Sequence, residues 1–304
     1  MTIPLSDTQV TYPTGSLTAT AQELHIEALP DDRRAVLLDV TSAHPVDAGW
    51  PDQGPDRAVL RVGETEIPLV DCIVGATDGT ALYIGADIPV AKGTDGWAFV
   101  VAHIIDRAPT NGSGDALTEG CSVDVIVDAS YRRLVSAGHT GCHAASLALN
   151  LAVADRWKKE VRTDSLGTPD FDGLAIDVSL IHENGSTDTY RLGKSLRKKG
   201  FMTEGLVAGS SAELTDIENR LNATLAEWVA ADAAVHIDID GPGLTDRRYW
   251  VCDLPAGSAR IPCGGTHLAS LGELGQASVA LALAETDGTL ILTMETTVNA
   301  VAVA

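Results

Sequence analysis

Apolar and polar residues alternate in short runs over the first third of the chain. The runs 35–40, 58–62, 81–84 and 97–105 are rich in Val, Ile and Leu and bounded by Gly, Pro or Asp, the pattern of β-strands. Between the first two lies a stretch, 43–57, dense in Pro, Gly and Asp, which favours turns over a packed element. Many short strands with few helical periods predict a small β-barrel over residues 1–110. A hinge is predicted at 108–115, APTNGSGD, whose Gly, Ser and Asn favour turns.

The period then changes. Residues 121–128 alternate as a strand. From 131 to 157, Leu134, Ala137, Ala144, Leu147, Leu151 and Val153 share one broad apolar stripe, which predicts a long helix. A strand-rich section follows at 174–182, and a second helix at 214–229, with Thr215 as N-cap and Glu218 at the capping-box position. The stretches 276–284 and 289–297 alternate again as strands. Residues 111–304 are therefore expected to form a second domain with an antiparallel sheet and long helices. The fold class is α+β, and 304 residues suit two domains.

Charge narrows the partners. The chain carries 42 Asp+Glu against 21 Lys+Arg, a net charge of -21. Non-specific polyanion binding needs an excess of cations to displace counterions, so DNA is not expected as a partner. A nucleic acid would have to meet a local basic patch, and Arg191-Leu-Gly-Lys-Ser-Leu-Arg-Lys-Lys199 is one. Lys194, Arg197, Lys198 and Lys199 are its candidate phosphate contacts, against the plainer reading of a solvated turn. Trp157 and Tyr190 flank the region, either to stack on unpaired bases or to pack. No run approaches the ~18 apolar residues of a membrane span, and MTIPLSDTQV has neither a basic n-region nor an apolar h-region. Five cysteines do not make a disulfide framework. The expectation is a cytoplasmic protein without a membrane partner, in a compartment where paired Cys and His hold metal.

Two short frames carry the candidate chemistry. In His139-Thr-Gly-Cys-His143 the imidazoles stand at i and i+4 of the long helix, on one face and one turn apart. In Cys263-Gly-Gly-Thr-His267 the glycines permit a tight turn that aims both side chains one way. Three imidazoles and one thiolate suit Zn2+; taken singly, each frame is also what unrelated histidines and a cysteine produce. Thr140 stands where a zinc protease carries its Glu base. No GxxxxGK[ST], GxGxxG or GxSxG occurs, so nucleotide cofactors and a serine elbow are not indicated. Cys142, about 100° round the helix from His143, reads as a small buried residue, and His103 as a strand-interior histidine.

The two frames, in RLVSAGHTGCHAASLALNLAV and RIPCGGTHLASLGELG, resemble the editing domain of alanyl-tRNA synthetases and the free-standing alanyl-tRNA editing proteins, the AlaX family. The helix segment Ile217-Glu-Asn-Arg-Leu-Asn222 is similar to the family's I-E-x-x-V-N pattern. The loop His44-Pro-Val-Asp-Ala-Gly-Trp-Pro-Asp-Gln53-Gly-Pro-Asp-Arg57 is similar to its Gly-rich barrel loop, with Trp50-Pro51 in place of the middle glycines and Ala58 in place of the closing one. The resemblance spans about residues 35–285.

What it implies is zinc-assisted hydrolysis of mischarged tRNA(Ala), principally Ser-tRNA(Ala) and also Gly-tRNA(Ala), with the tRNA 3' end and acceptor stem as partner. His139, His143, Cys263 and His267 would hold Zn2+, and Gln53, Thr140 and Thr266 would face the aminoacyl group. The two threonines have a plainer reading as well, bonding their own turn or helix backbone. Editing has a physical motive: a pocket for Ala rejects Ser or Gly by only about 1–3 kcal/mol, so a second site must remove errors. Four protein ligands make a closed tetrahedral site, so the ion either loses or adds a ligand, or holds the tRNA 3' end. The alternative is a metal-dependent hydrolase of small acyl or aminoacyl substrates, which the acidic charge favours.

Overall fold

The computed structural model describes residues 3–106, 117–209 and 211–300. The hinge expected at 108–115, and with it the boundary expected at 110, lies outside the described residues. The architecture is mixed α+β, with more strand than helix. The chain divides into two compact units, the first comprising Met1–Arg132, Ile239–Arg248 and Gly264–Thr266, the second the remainder.

The first unit holds β1 (Gln9–Val10), β2 (Thr18–Ala28), β3 (Arg33–Leu38), β4 (Val40–Thr41), β5 (Ala58–Val62), β6 (Thr65–Thr77), β7 (Leu82–Ile84), β8 (Ala98–Asp106) and β9 (Ser122–Val127). Seven of these order as β5-β9-β2-β3-β8-β6-β7, and β5 pairs with β6 as well as with β9. The expected runs appear as β3, β5, β7, β8 and β9. The period of two explains why β8 is buried along nearly its whole length. Phe99, Val101 and Ile105 enter the main core with Leu60, Ile67 and Val125, while Val100, Ala102 and Ile104 enter a second with Ala35 and Leu37. The two-residue turn between β5 and β6 opens on Gly63 at φ 59, a conformation glycine adopts without a Cβ penalty.

The second unit is built on α1 (Ala129–Ala152), α2 (Phe171–Ala175), β10 (Ile176–His182), β11 (Gly185–Arg191), α3 (Lys194–Lys198), α4 (Ala212–Ala230), β12 (Val235–Ile239), β13 (Arg248–Leu254), β14 (Gly257–Pro262), β15 (Gln276–Thr286) and β16 (Thr289–Asn299). One antiparallel sheet runs β10-β11-β16-β15, and another runs β12-β13-β14. The core joins Leu147, Leu149, Phe171, Tyr190, Leu221, Leu225, Trp250 and Met294. A Leu side chain buried this way stabilises the fold by about 1.5–3 kcal/mol.

Helix α4 begins earlier than expected: Ser211 is the cap, its Oγ accepting from the Leu214 N–H at 3.1 Å. Glu218 is therefore free of a capping box. Its Oε2 accepts from the Leu281 N–H at 2.7 Å, and Asn222 brackets Val279 with two backbone bonds of 2.8 Å, pinning α4 to β15. Among the described residues, no helix is long and apolar enough to cross a membrane.

Candidate metal centre

Helix α1 lies close against the sheet because its contact face is small. A Cβ on Gly138 would sit 2.3 Å from the His182 carbonyl oxygen, and one on Gly141 would sit 2.9 Å from Val298. Both glycines are helical, so close approach rather than backbone conformation requires them. His139 and His143 lie about 100–160° round the same helix from these glycines.

The two frames meet in the second unit. Cys263 Sγ lies 3.4 Å from His139 Nε2 and 3.2 Å from His267 Nε2. One donor atom each from His139, His143, Cys263 and His267 all lie within 4.8 Å of one another. The His139 ring centroid is 4.7 Å from that of His143 and 4.4 Å from that of His267. A tetrahedral ion with Zn–S of about 2.3 Å and Zn–N of about 2.0–2.1 Å sets S···N edges of about 3.5 Å. The donor spacing and chemistry therefore fit a zinc-sized ion. Among the described residues this is the one cluster of three or more His, Cys, Asp or Glu so assembled. His139 is buried, whereas the other three are half-buried. The fully buried ring of Trp250 walls the site, its centroid 5.1 Å from that of His143.

Contacts behind the ligands hold the 263–275 segment to α1. Thr140, fully buried, accepts from the Leu268 N–H at 3.0 Å, and its Oγ lies 3.4 Å from His267 Nδ1. Arg133 pairs with Glu273 at 2.8 Å, and Glu273 also accepts from the Ala269 N–H at 3.0 Å. The turn aims Cys263 and His267 at one cluster as expected, although Gly264 itself has no left-handed φ and a Cβ there would meet nothing within 4 Å.

In the first unit, Gln53 and Thr266 form a reciprocal pair, both buried. The Gln53 Nε2 donates to Thr266 Oγ at 3.0 Å, and the Thr266 N–H donates to Gln53 Oε1 at 3.0 Å. Thr266 directly precedes His267 in the chain. The loop carrying Gln53 is anchored by a buried ion pair that the sequence reading missed. Arg132 grips Asp56 through Nε at 2.8 Å and again through Nη2, which also donates to the Ser42 carbonyl at 2.8 Å. No sequence pattern links these partners, 76 positions apart.

The remaining expectations sort clearly. Cys142 points away from the ligand cluster, 3.5 Å from Asp188, and burial pushes its thiol pKa well up, so it is the buried residue expected. His103 is buried between the Thr41 hydroxyl and the Val36 carbonyl, and desolvation lowers its pKa to about 4. Tyr190 is fully buried with its hydroxyl on Asp172 at 3.0 Å, which removes it as a base-stacking surface. Trp157 is half-buried, edge-on to Phe201 with centroids 5.1 Å apart.

Lys194, Arg197 and Lys198 ride on α3, with Lys199 at its end, all exposed. Also missed was a buried polar seam. Ser179 and Ser186 donate to Asp188 at 2.6 and 2.8 Å, while Asn150 accepts from the Asp172 N–H at 2.8 Å. Burial raises the Asp172 pKa to about 6. The signal was present: Cys142, Ser146 and Asn150 recur every four residues, and Ser186, Asp188 and Tyr190 every two. No known protein family matches this chain, and no curated protein matches it either.

Proposed function

We propose that this chain is a zinc-dependent aminoacyl-tRNA deacylase of the alanyl-tRNA editing type, clearing Ser-tRNA(Ala) and Gly-tRNA(Ala) in the cytoplasm. One observation carries the reading. Two frames 119 residues apart, each with the spacing the AlaX family uses, converge on one set of three imidazoles and one thiolate. Zinc bound there supplies a Lewis acid that polarises an ester carbonyl.

The chain's own groups do the positioning. Thr140 holds the Nδ1 edge of His267, which leaves Nε2 turned toward Cys263. Gln53 fixes Thr266 through both of its amide atoms. Because Thr140 is buried and bonded, we assign it to holding the site rather than to touching the aminoacyl group. The ring of pairings β5-β9-β2-β3-β8-β6, returning to β5, supports reading the first unit as the small barrel that accompanies such sites.

The test is incubation of the zinc-loaded protein with Ser-, Gly- and Ala-tRNA(Ala). Faster loss of the Ser ester than of the Ala ester is expected; loss of none above the buffer rate overturns the proposal. A second reading, a metal-dependent hydrolase of small acyl or aminoacyl esters, is favoured by the net charge of -21, which repels a polyanion. Turnover of a serine methyl ester at a rate that tRNA attachment does not raise would establish it instead.

A further inference from the structure

We infer that the groove beside α3 binds the phosphodiester backbone of an RNA; taken with the deacylase reading, that RNA is the substrate's acceptor stem. The groove has a volume of about 580 Å³ and is lined by Arg191, Lys194 and Arg197, by the aliphatic side chains of Leu174 and Leu196, and by the 287–289 turn, whose Asp287 is its one acidic lining residue. Lys194, Arg197 and Lys198 stand at i, i+3 and i+4, so three cations share one face.

Several neighbouring cations meet carboxylates closely: Arg156 pairs with Glu213, Arg162 with Asp170 at 2.9 Å, and Arg220 with Asp216 at 3.1 Å, whereas Lys158 reaches Glu204 only at 3.6 Å and Lys159 donates to the Lys198 carbonyl at 3.1 Å. Lys194, Arg197, Lys198 and Lys199 have no ion pair among the described residues. Arg191 reaches Asp177 only at 3.6 Å with both ends well exposed, a contact worth little. A chain of net charge -21 has acids enough to pair these groups, yet leaves four cations within six residues uncompensated, two of them, Lys194 and Arg197, lining the groove. Consecutive phosphates satisfy such a track, and the guanidinium of Arg197 matches phosphate oxygens in a fork. An acidic peptide places its charges less regularly.

With three to four phosphates neutralised, log K falls with log[salt] at a slope of about -2 to -4, so raising NaCl from ~50 to ~200 mM weakens binding about 15- to 250-fold. The experiment is fluorescence anisotropy of a labelled RNA minihelix with an unpaired 3' end, using the full zinc-loaded chain. The variant Lys194→Gln/Arg197→Gln/Lys198→Gln is expected to bind at least tenfold more weakly, with a flatter salt slope. Zinc content and melting temperature should be unchanged, because all three side chains are exposed. The single variant Arg197→Glu gives a second reading in case the triple variant is perturbed.

RNA binding of equal strength and slope in these variants, or no RNA binding by the parent, overturns the inference. So does poly-glutamate binding as tightly as RNA, which makes the track a peptide surface. Inorganic phosphate that binds at low millimolar concentration while RNA does not makes it a free-anion site and overturns the inference as well. Because binding is read directly, its failure is separable from a failure of deacylation.

Discussion

Replacing Thr140 with Val tests whether the contacts behind the ligands tune the metal. The side chain is fully buried and Val has nearly its shape, so no cavity forms and the change is chemical. Two interactions are lost. The Leu268 N–H, which Thr140 accepts at 3.0 Å, is left without its acceptor, at a cost of about 1–3 kcal/mol. His267 also loses the oxygen 3.4 Å from its Nδ1. An imidazole that binds metal through Nε2 carries its proton on Nδ1, and the acceptor of that proton fixes tautomer and ring orientation. Loss of such a partner weakens metal affinity by 10–100-fold. The contact is long, so about tenfold is expected, equivalent to about 1.4 kcal/mol. Competition with a chromogenic chelator reads the affinity, and melting of the metal-free protein reads the backbone term separately, about 3–10 °C for a unit of this size. Thr140→Ser should recover both. Zinc affinity in the Val variant within twofold of the parent refutes the orienting role, whatever the melting temperature does.

Asp56→Ala strands the buried Arg132 guanidinium and should destabilise the first unit by about 3–5 kcal/mol in urea denaturation; a change below about 1 kcal/mol contradicts this account of the loop. Gly138→Ala places a Cβ 2.3 Å from a backbone carbonyl and should cost at least about 1–3 kcal/mol together with zinc affinity, since α1 must back away from the sheet; unchanged zinc binding would show that ligand depth does not depend on that approach. Acid should act on the two units with opposite sign. Burial lowers the pKa of His44 to about 3 and of His103 to about 4. Their unfolded forms take up protons below about 6.5, so between pH 7 and 5 the two histidines cost the first unit about 4 kcal/mol, of which Glu23, raised by burial to about 7, returns at most about 2 because it binds its proton more tightly when folded. Asp172, raised by burial to about 6, binds its proton more tightly when folded, so the second unit gains about 1 kcal/mol over the same range. Hydrogen exchange across β8 and β11 at pH 7 and 5 checks this, and β8 protection that holds at pH 5 would contradict it.

The strands legible in the sequence were those with one simple apolar pattern. β5 runs over residues 58–62 as expected because its residues face one core, and β8 was visible as a continuous apolar run because it serves two. β2 was not, and its composition explains why. Glu23 and His25, both buried, occupy positions where a hydrophobic pattern would place Val or Leu, and a register shift between them breaks the period of two. Burial by the fold raises the Glu23 pKa to about 7, an effect of neighbours remote in the chain. The start of α4 was misplaced for a related reason. Thr215 and Glu218 have the spacing of a capping box, but Glu218 is taken by the β15 backbone, and the cap four residues earlier falls to Ser211.

The ligand set was legible because helix geometry fixes His139 and His143 relative to each other before any tertiary contact exists, and because Cys263 and His267 are too close in sequence to part far. What the sequence does not encode locally is why the two pairs coincide. That depends on Gly138 and Gly141 letting α1 down onto the sheet, and on Thr140, Arg133 and Glu273 tying the 263–275 segment to the same helix. Thr140 was picked out as a group facing substrate because it sits inside a ligand frame. Its neighbour at i+2, Cys142, turns instead to the polar seam, so one helical turn serves three environments within five residues. Side chains on one turn of a helix point in directions about 100° apart, and only the packing of the other elements decides which of those directions meets metal, backbone or core. The functional burden of a residue inside a motif is therefore set by what the rest of the chain brings to its face. That is why spacing and the family resemblance together could pick out the four candidate donors, while the contacts of the residues between them are set by the fold.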